Sequence, residues 1–149
     1  MSNIKVFEND LPKDLDLSNE KFIGLDNEAL GLVLGRDPLT LVQLGLESKN
    51  FYLIKLNRET YHAPNLIKAL SNDSTQYIMH YARQDLLWLK YHLNVKPKNI
   101  FCTKVASKIA RTASSYHGYK DLVKELCGKD ISKKEQQSDW GDPNLSEKQ

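Results

Sequence analysis

The hydrophobic period of this chain changes at about residue 60, and that change limits what it can fold into. Before it, apolar residues come in short β-rich runs: Ile4–Phe7, Phe22–Leu25 ending at Asp26, Leu39–Leu46 and Phe51–Leu56. The link Glu47-Ser48-Lys49-Asn50 has the turn residues and the length of a hairpin. Three consecutive strands on short polar links predict an antiparallel meander.

After the change, helical spacing alternates with short strands. Ala63–Ser71 reads as a helix with Pro64 in its tolerant first turn. Gln76–His80 and Asn99–Cys102 read as strands, and between them Leu86, Leu89 and Leu93 recur at helical spacing over Asp85–Leu93. Thr103–Thr112 and Tyr119–Cys127 read as helices, the second stopped by Gly128. Lys129–Asn144 reads as a polar loop. A parallel strand reached through a helix crosses over right-handedly, so the expectation is a mixed sheet with helices on both faces. The 149 residues fit one domain.

Composition excludes little but helps. No apolar run approaches the ~20 residues of a membrane span, and residues 1–6 carry no export signal. Cys102 and Cys127 lie outside any Cys-x-x-Cys pair, so the expectation is two buried structural thiols in a reducing cytoplasm. Charge is asymmetric: residues 1–75 carry 8 basic and 11 acidic side chains, residues 96–136 carry 10 and 4. An acidic front and a basic back suit a chain that gathers metal in one place and phosphate in another, though a solvated lysine-rich surface explains the charge equally well.

Two acidic signals carry chemistry. Asp26 and Glu28 stand at i and i+2, so on a strand their carboxylates share a face while Asn27 points away. Adjacent carboxylates raise one another's pKa, and a hard divalent cation with oxygen ligands relieves this. Asp85, opening the Leu86–Leu93 helix, reads by itself as a helix cap. There is no zinc-type His/Cys cluster, no P-loop and no Gly-x-Gly-x-x-Gly.

Leu25–Leu32 resembles the first motif of DEDD-class 3′-5′ exonucleases, and His80–Asp85 the second. Phe101–Lys108, Arg111-Thr112, His117-Gly118, Ile131–Lys133, Gln137–Trp140, Leu145-Ser146 and Gln149 extend the likeness in order. The whole pattern is similar to the ribonuclease D family, and within it to the nanoRNase C group. The resemblance implies a ribonuclease-H-like α/β/α fold and hydrolysis of RNA or short oligonucleotides from the 3′ end, with two Mg²⁺ or Mn²⁺ ions. It places Asp26, Glu28 and Asp85 as catalytic metal ligands and Leu32 as an apolar wedge against bases, where a core leucine is the alternative. It assigns substrate contacts to His80, Lys108, His117 and Lys133, and implies a homo-oligomer. Lys104, Arg111, Lys120 and Lys124 are further candidates for phosphate.

Two positions depart from the family pattern: Gln84 replaces an apolar residue, and Asn27 stands where the family has Thr. In the tyrosine subclass a Tyr and a fourth Asp follow the Leu-Ser-x-x-Gln segment, which here closes at Gln149. The expectation is therefore a domain incomplete at its C-terminus. The rival expectation is an inactive remnant that binds nucleic acid or oligomerises.

Overall fold

The computed structural model describes residues 3–132, 140 and 142. Six strands form one mixed sheet in the order β1-β4-β3-β2-β5-β6: β1 (Asn3–Glu8), β2 (Phe22–Ala29), β3 (Leu39–Leu46), β4 (Asn50–Lys55), β5 (Gln76–Met79) and β6 (Ile100–Cys102). The helices are α1 (Pro64–Leu70), α2 (Arg83–Leu93), α3 (Thr103–Ala110) and α4 (Tyr119–Cys127). This is the expected α/β architecture. The meander β2-β3-β4 is antiparallel, while β5 and β6 add in parallel beside β2 through helical connections. The first strand pairs in parallel with β4 at the opposite edge, a long-range pairing that no local pattern announces.

Alternation along β2 decides where the site lies. Ile23 and Leu25 are buried on one face with Val42, Leu44, Tyr52, Ile54, Tyr77 and Met79. Leu66 and Leu70 of α1, and Trp88, Leu89 and Leu93 of α2, complete this core. Fully burying such side chains stabilises by roughly 1.5–3 kcal/mol each, so this face fixes the register. Gly24, Asp26 and Glu28 therefore fall on the other face. The strand does not end at the acids as expected: it continues to Ala29, with Asp26 opposite Gln43 and Glu28 opposite Leu41.

Three further expectations change. The second helix begins before Asp85, with Ala82 in the cap position and no side-chain cap. Asp85 therefore lies in the first turn, where its charge meets the helix dipole but caps nothing. Neither cysteine is a buried structural thiol: Cys102 is half-buried, and Cys127 is exposed at the end of α4. Both are free. Gly128 does close α4, at φ +65° in the left-handed region that glycine adopts without strain. Among the described residues no helix is long and apolar enough to cross a membrane.

The first helix is capped from a distance. Ala63 precedes Pro64 and has no side-chain acceptor. Asp10, in the β1–β2 connection, accepts from the amides of Asn65 at 3.0 Å and Leu66 at 2.8 Å instead. The Asn65 side chain donates back to the carbonyl of Leu11 at 2.9 Å. A connection that looks like polar loop in the sequence is thereby sewn to the helix.

Candidate functional site

The acid face of β2 and the first turn of α2 converge. Burial first, then the Asp26 charge and, less strongly, the Glu28 charge together raise the Asp85 carboxyl to about 7. Burial and then the Asp26 charge raise Glu28 to about 7. Burial also raises Asp26, against a hydrogen bond from the Asn27 amide. Asp26 is nevertheless exposed to solvent on β2. The Asp26 charge thus acts on both Glu28 and Asp85. Among the described residues no three His, Cys, Asp or Glu side chains form a ready-made ion cage. The trio supplies hard oxygen donors and an excess of negative charge, which fits a divalent cation better than protons at neutral pH.

Asn27 turns out to matter. Its side chain lies on the core face, nearly buried, and its Nδ2 donates to the main-chain carbonyl of Asp85 at 3.2 Å. One residue of the acid strand thus holds the helix turn that carries the third acid. The sequence signal was only that its two neighbours are acids on the opposite face.

His80 follows the last residue of β5. The last pair that β5 makes with β2 is Gly24↔Ile78, and the strand ends at Met79 just before this histidine. Its Nδ1 is 2.9 Å from Thr103 Oγ1, and that hydroxyl donates to the carbonyl of Met79 at 3.2 Å. A hydroxyl has one proton to give, so Nδ1 is the donor and Nε2 is left as an acceptor in the neutral ring. Burial first, then the Lys104 charge, lowers the His80 pKa and favours that neutral form. The Tyr119 ring stands 5.5 Å away.

Next to it, Tyr81 adopts φ +63°, a left-handed conformation that non-glycine residues rarely hold. Lys104 Nζ sits 4.1 Å from the Tyr81 ring centroid, a cation–π contact. Neither Tyr81 nor Thr103 stood out in the sequence, because a lone aromatic or hydroxyl has no period.

The remaining expected contacts divide. Leu32 is 82% exposed on the loop after β2, so it is not a core leucine. Lys108 is exposed on α3. His117 Nδ1 lies 2.9 Å from the buried Ser107 Oγ. Arg111 is spent internally: it donates to Ser107 Oγ and to the carbonyl of Tyr116, both at 3.1 Å, and pairs with Glu125. Lys124 pairs with Asp130 at 3.3 Å. Of the basic segment, Lys108 is the better candidate for phosphate. Lys133, together with Gln137–Asp139 and Leu145–Gln149, lies outside the described residues. Trp140 is buried. The cavity of about 480 Å³ between the β1–β2 connection and α1 is lined by Pro12, Lys13, Asp16, Asn65 and Lys68, and contains none of the three acids.

Comparison with known proteins identifies the family and the fold. Residues 5–149 match a family model described as 3′-5′ exonuclease. The structure of Brucella melitensis NrnC bound to pGG is similar over 100% of this chain and 72% of that chain, with 38% identity and a TM-score of 0.91. A second structure of the same Brucella protein has bound Mg²⁺. Ribonuclease D of Xanthomonas oryzae pv. oryzae is 30% identical over 122 residues, which are 79% of this chain and 32% of that protein. The chain spans about a third of the length of the curated ribonuclease D relatives it matches. Escherichia coli RNase D shares the fold at 22% identity and a TM-score of 0.73, over 88% of this chain and 34% of that one.

Proposed function

Given that this chain belongs to the 3′-5′ exonuclease family, we propose that it is a ribonuclease D-type exonuclease domain that removes nucleotides from the 3′ end of RNA, short RNA included. The observation that carries the reading is that the charges of Asp26 and Glu28 on β2 act on Asp85 in the first turn of α2. The family match and the likeness to a protein solved with pGG support it.

The three carboxylates would hold two divalent ions, Mg²⁺ or Mn²⁺. Divalent ions held there would supply Lewis-acid chemistry, activating water and offsetting negative charge at phosphate. The chain's own residues do the rest. Carboxylates set on a strand and on a helix turn are fixed by the fold, so they need little reorganisation during reaction. Asn27 keeps the α2 turn in register with the acid strand. His80 Nε2 offers an acceptor for a substrate hydroxyl or an ordered water. Lys108 adds positive charge for the phosphate backbone, which gives affinity without sequence preference. Leu32 presents an apolar side chain to unstacked bases. His117 and Lys133 complete the set of substrate contacts that the resemblance implies. Self-association and a cytoplasmic location belong to the same reading; a single monomeric species in light scattering would contradict the first.

The reading is tested with 5′-labelled RNA, an excess of the protein and Mn²⁺. Slow shortening by one nucleotide at a time from the 3′ end is expected, and its loss in Asp26→Asn. Internal cuts, or equal cleavage by Asp26→Asn, would overturn it.

A further inference from the structure

The connection between β2 and β3, residues 30–38, is longer than its topology requires. Antiparallel neighbours are commonly joined by about two to five residues, and here the gap between Ala29 and Leu39 is nine. It also projects apolar side chains into water: Leu30, Leu32, Val33 and Leu34 are all exposed, Leu32 most of all. Unsupported, such side chains would fold back onto nearby apolar surface.

What holds them out is a knot around Asp37. This residue is nearly covered, at 9% exposure. Its carboxylate accepts from the Val33 amide at 2.9 Å, and from Arg36 Nε at 2.6 Å and Nη2 at 2.8 Å. The Arg36 and Asp37 amides both donate to the carbonyl of Val33, at 3.2 and 2.9 Å, and Leu30 N donates to the carbonyl of Pro38 at 3.1 Å. Gly31 completes the knot, because a Cβ there would stand 2.1 Å from Asp37 Oδ2. Only glycine lets the chain pass so close to the carboxylate. On its outer side the loop abuts α2: a Cβ on Gly35 would lie 3.3 Å from the Tyr91 hydroxyl. Leu32 lies one residue past Gly31 and four past Glu28, so the knot sets the direction of an apolar side chain that follows directly on the acid strand.

We propose that Asp37 is a positioning residue, which fixes the 30–38 loop so that Leu32 meets a nucleobase of the strand held at the acid face. The inference rests on the nucleic-acid reading above. The face of any base is apolar, so a rigid leucine serves without sequence preference. A loop already fixed in its binding conformation loses less entropy when the strand arrives. Asp37 touches neither the acids nor the substrate; it acts through Leu32.

The test is a double-mutant cycle of Leu32→Ala and Asp37→Asn, read as affinity for a short RNA with 2-aminopurine at its 3′ end, with Ca²⁺ as the metal. Each single variant should weaken binding about tenfold and blunt the fluorescence change, since one base contact is at stake. The double variant should be no weaker than Leu32→Ala alone, because both changes remove one interaction. If Asp37→Asn does not fold by circular dichroism, Gly31→Ala takes its place in the cycle, since it displaces the carboxylate without removing it. Additive losses, or parent-like binding by the Asp37 variant, overturn the proposal while leaving the nucleic-acid reading intact. A parent chain that fails to bind the RNA at all overturns both.

Discussion

The side-chain amide of Asn27 donates to the backbone carbonyl of Asp85, joining the acid strand to the helix turn that carries the third carboxylate. Asn27 and Asp85 are 58 residues apart in sequence, and the bond lies in a largely buried place. Asn27→Ala removes a second bond to a carbonyl that α2 already engages and is expected to destabilise the fold by about 0.5–1.5 kcal/mol. It should also weaken divalent-ion binding although no ligand has been removed. Urea unfolding and a metal titration on the same variant check both effects, and unchanged metal affinity would show that the turn needs no such tether.

The raised carboxyls predict an unusual pH dependence. In the folded chain Glu28 and Asp85 keep their protons up to about 7, against roughly 4 when unfolded. Between those values the folded state binds more protons than the unfolded one, so metal-free stability should fall as pH rises from about 4 to 7. Asp85→Asn should flatten this slope and stabilise the metal-free chain near pH 8 by about 1 kcal/mol, allowing for partial exposure of the site. Mg²⁺ should do the same for the parent. Urea midpoints measured in EDTA across this range decide the matter: stability rising with pH would contradict the site's electrostatics.

Much of the fold was legible because local signals and the core agreed. The β3 and α4 boundaries coincide with their apolar runs, and Gly128 closes α4 as its residue type predicts. The acid pair could be read because strand alternation puts i and i+2 on one face whatever the partner strands are. What escaped depends on tertiary contact. Leu32 left two readings open, a wedge or a core leucine, and only its exposure in the fold removes the second. Arg111 looks like a phosphate ligand until Glu125 is seen to neutralise it. Cys127 seemed buried on composition alone, yet the last turn of α4 leaves it exposed. The role of Asn27 required knowing where α2 starts.

Asp10 shows the same limit and yields its own prediction. It caps α1 from the far side of β2 in sequence, through the amides of Asn65 and Leu66. Asp10→Ala should cost about 1–2 kcal/mol, as for a lost cap. Asp10→Asn, which keeps an acceptor oxygen, should recover a good part of it. Thermal melts of the two variants suffice, and equal loss in both would mean that charge, not the cap geometry, supplies the stability.

Binding of single-stranded RNA should weaken steeply with salt, because phosphate contacts release counterions. Lys108→Gln should lower affinity without altering base preference and reduce the log–log salt slope by about 0.7. Arg111→Gln should instead lower stability, since that side chain holds Ser107, Tyr116 and Glu125 together. Fluorescence anisotropy at several salt concentrations separates the two, and a slope unchanged by Lys108→Gln would remove that residue from the interface.

The central claim is that Asp26, Glu28 and Asp85 form one divalent-metal site, and calorimetric titration of Mn²⁺ tests it most directly. The parent chain should bind Mn²⁺ at pH 7.5, with proton release that shows as a dependence on buffer ionisation heat, because groups with pKa about 7 give up protons to the metal. Asp26→Ala should abolish or sharply weaken that binding while the chain stays folded. If the Asp26 variant binds Mn²⁺ as well as the parent, the three carboxylates are not a metal site and the account fails.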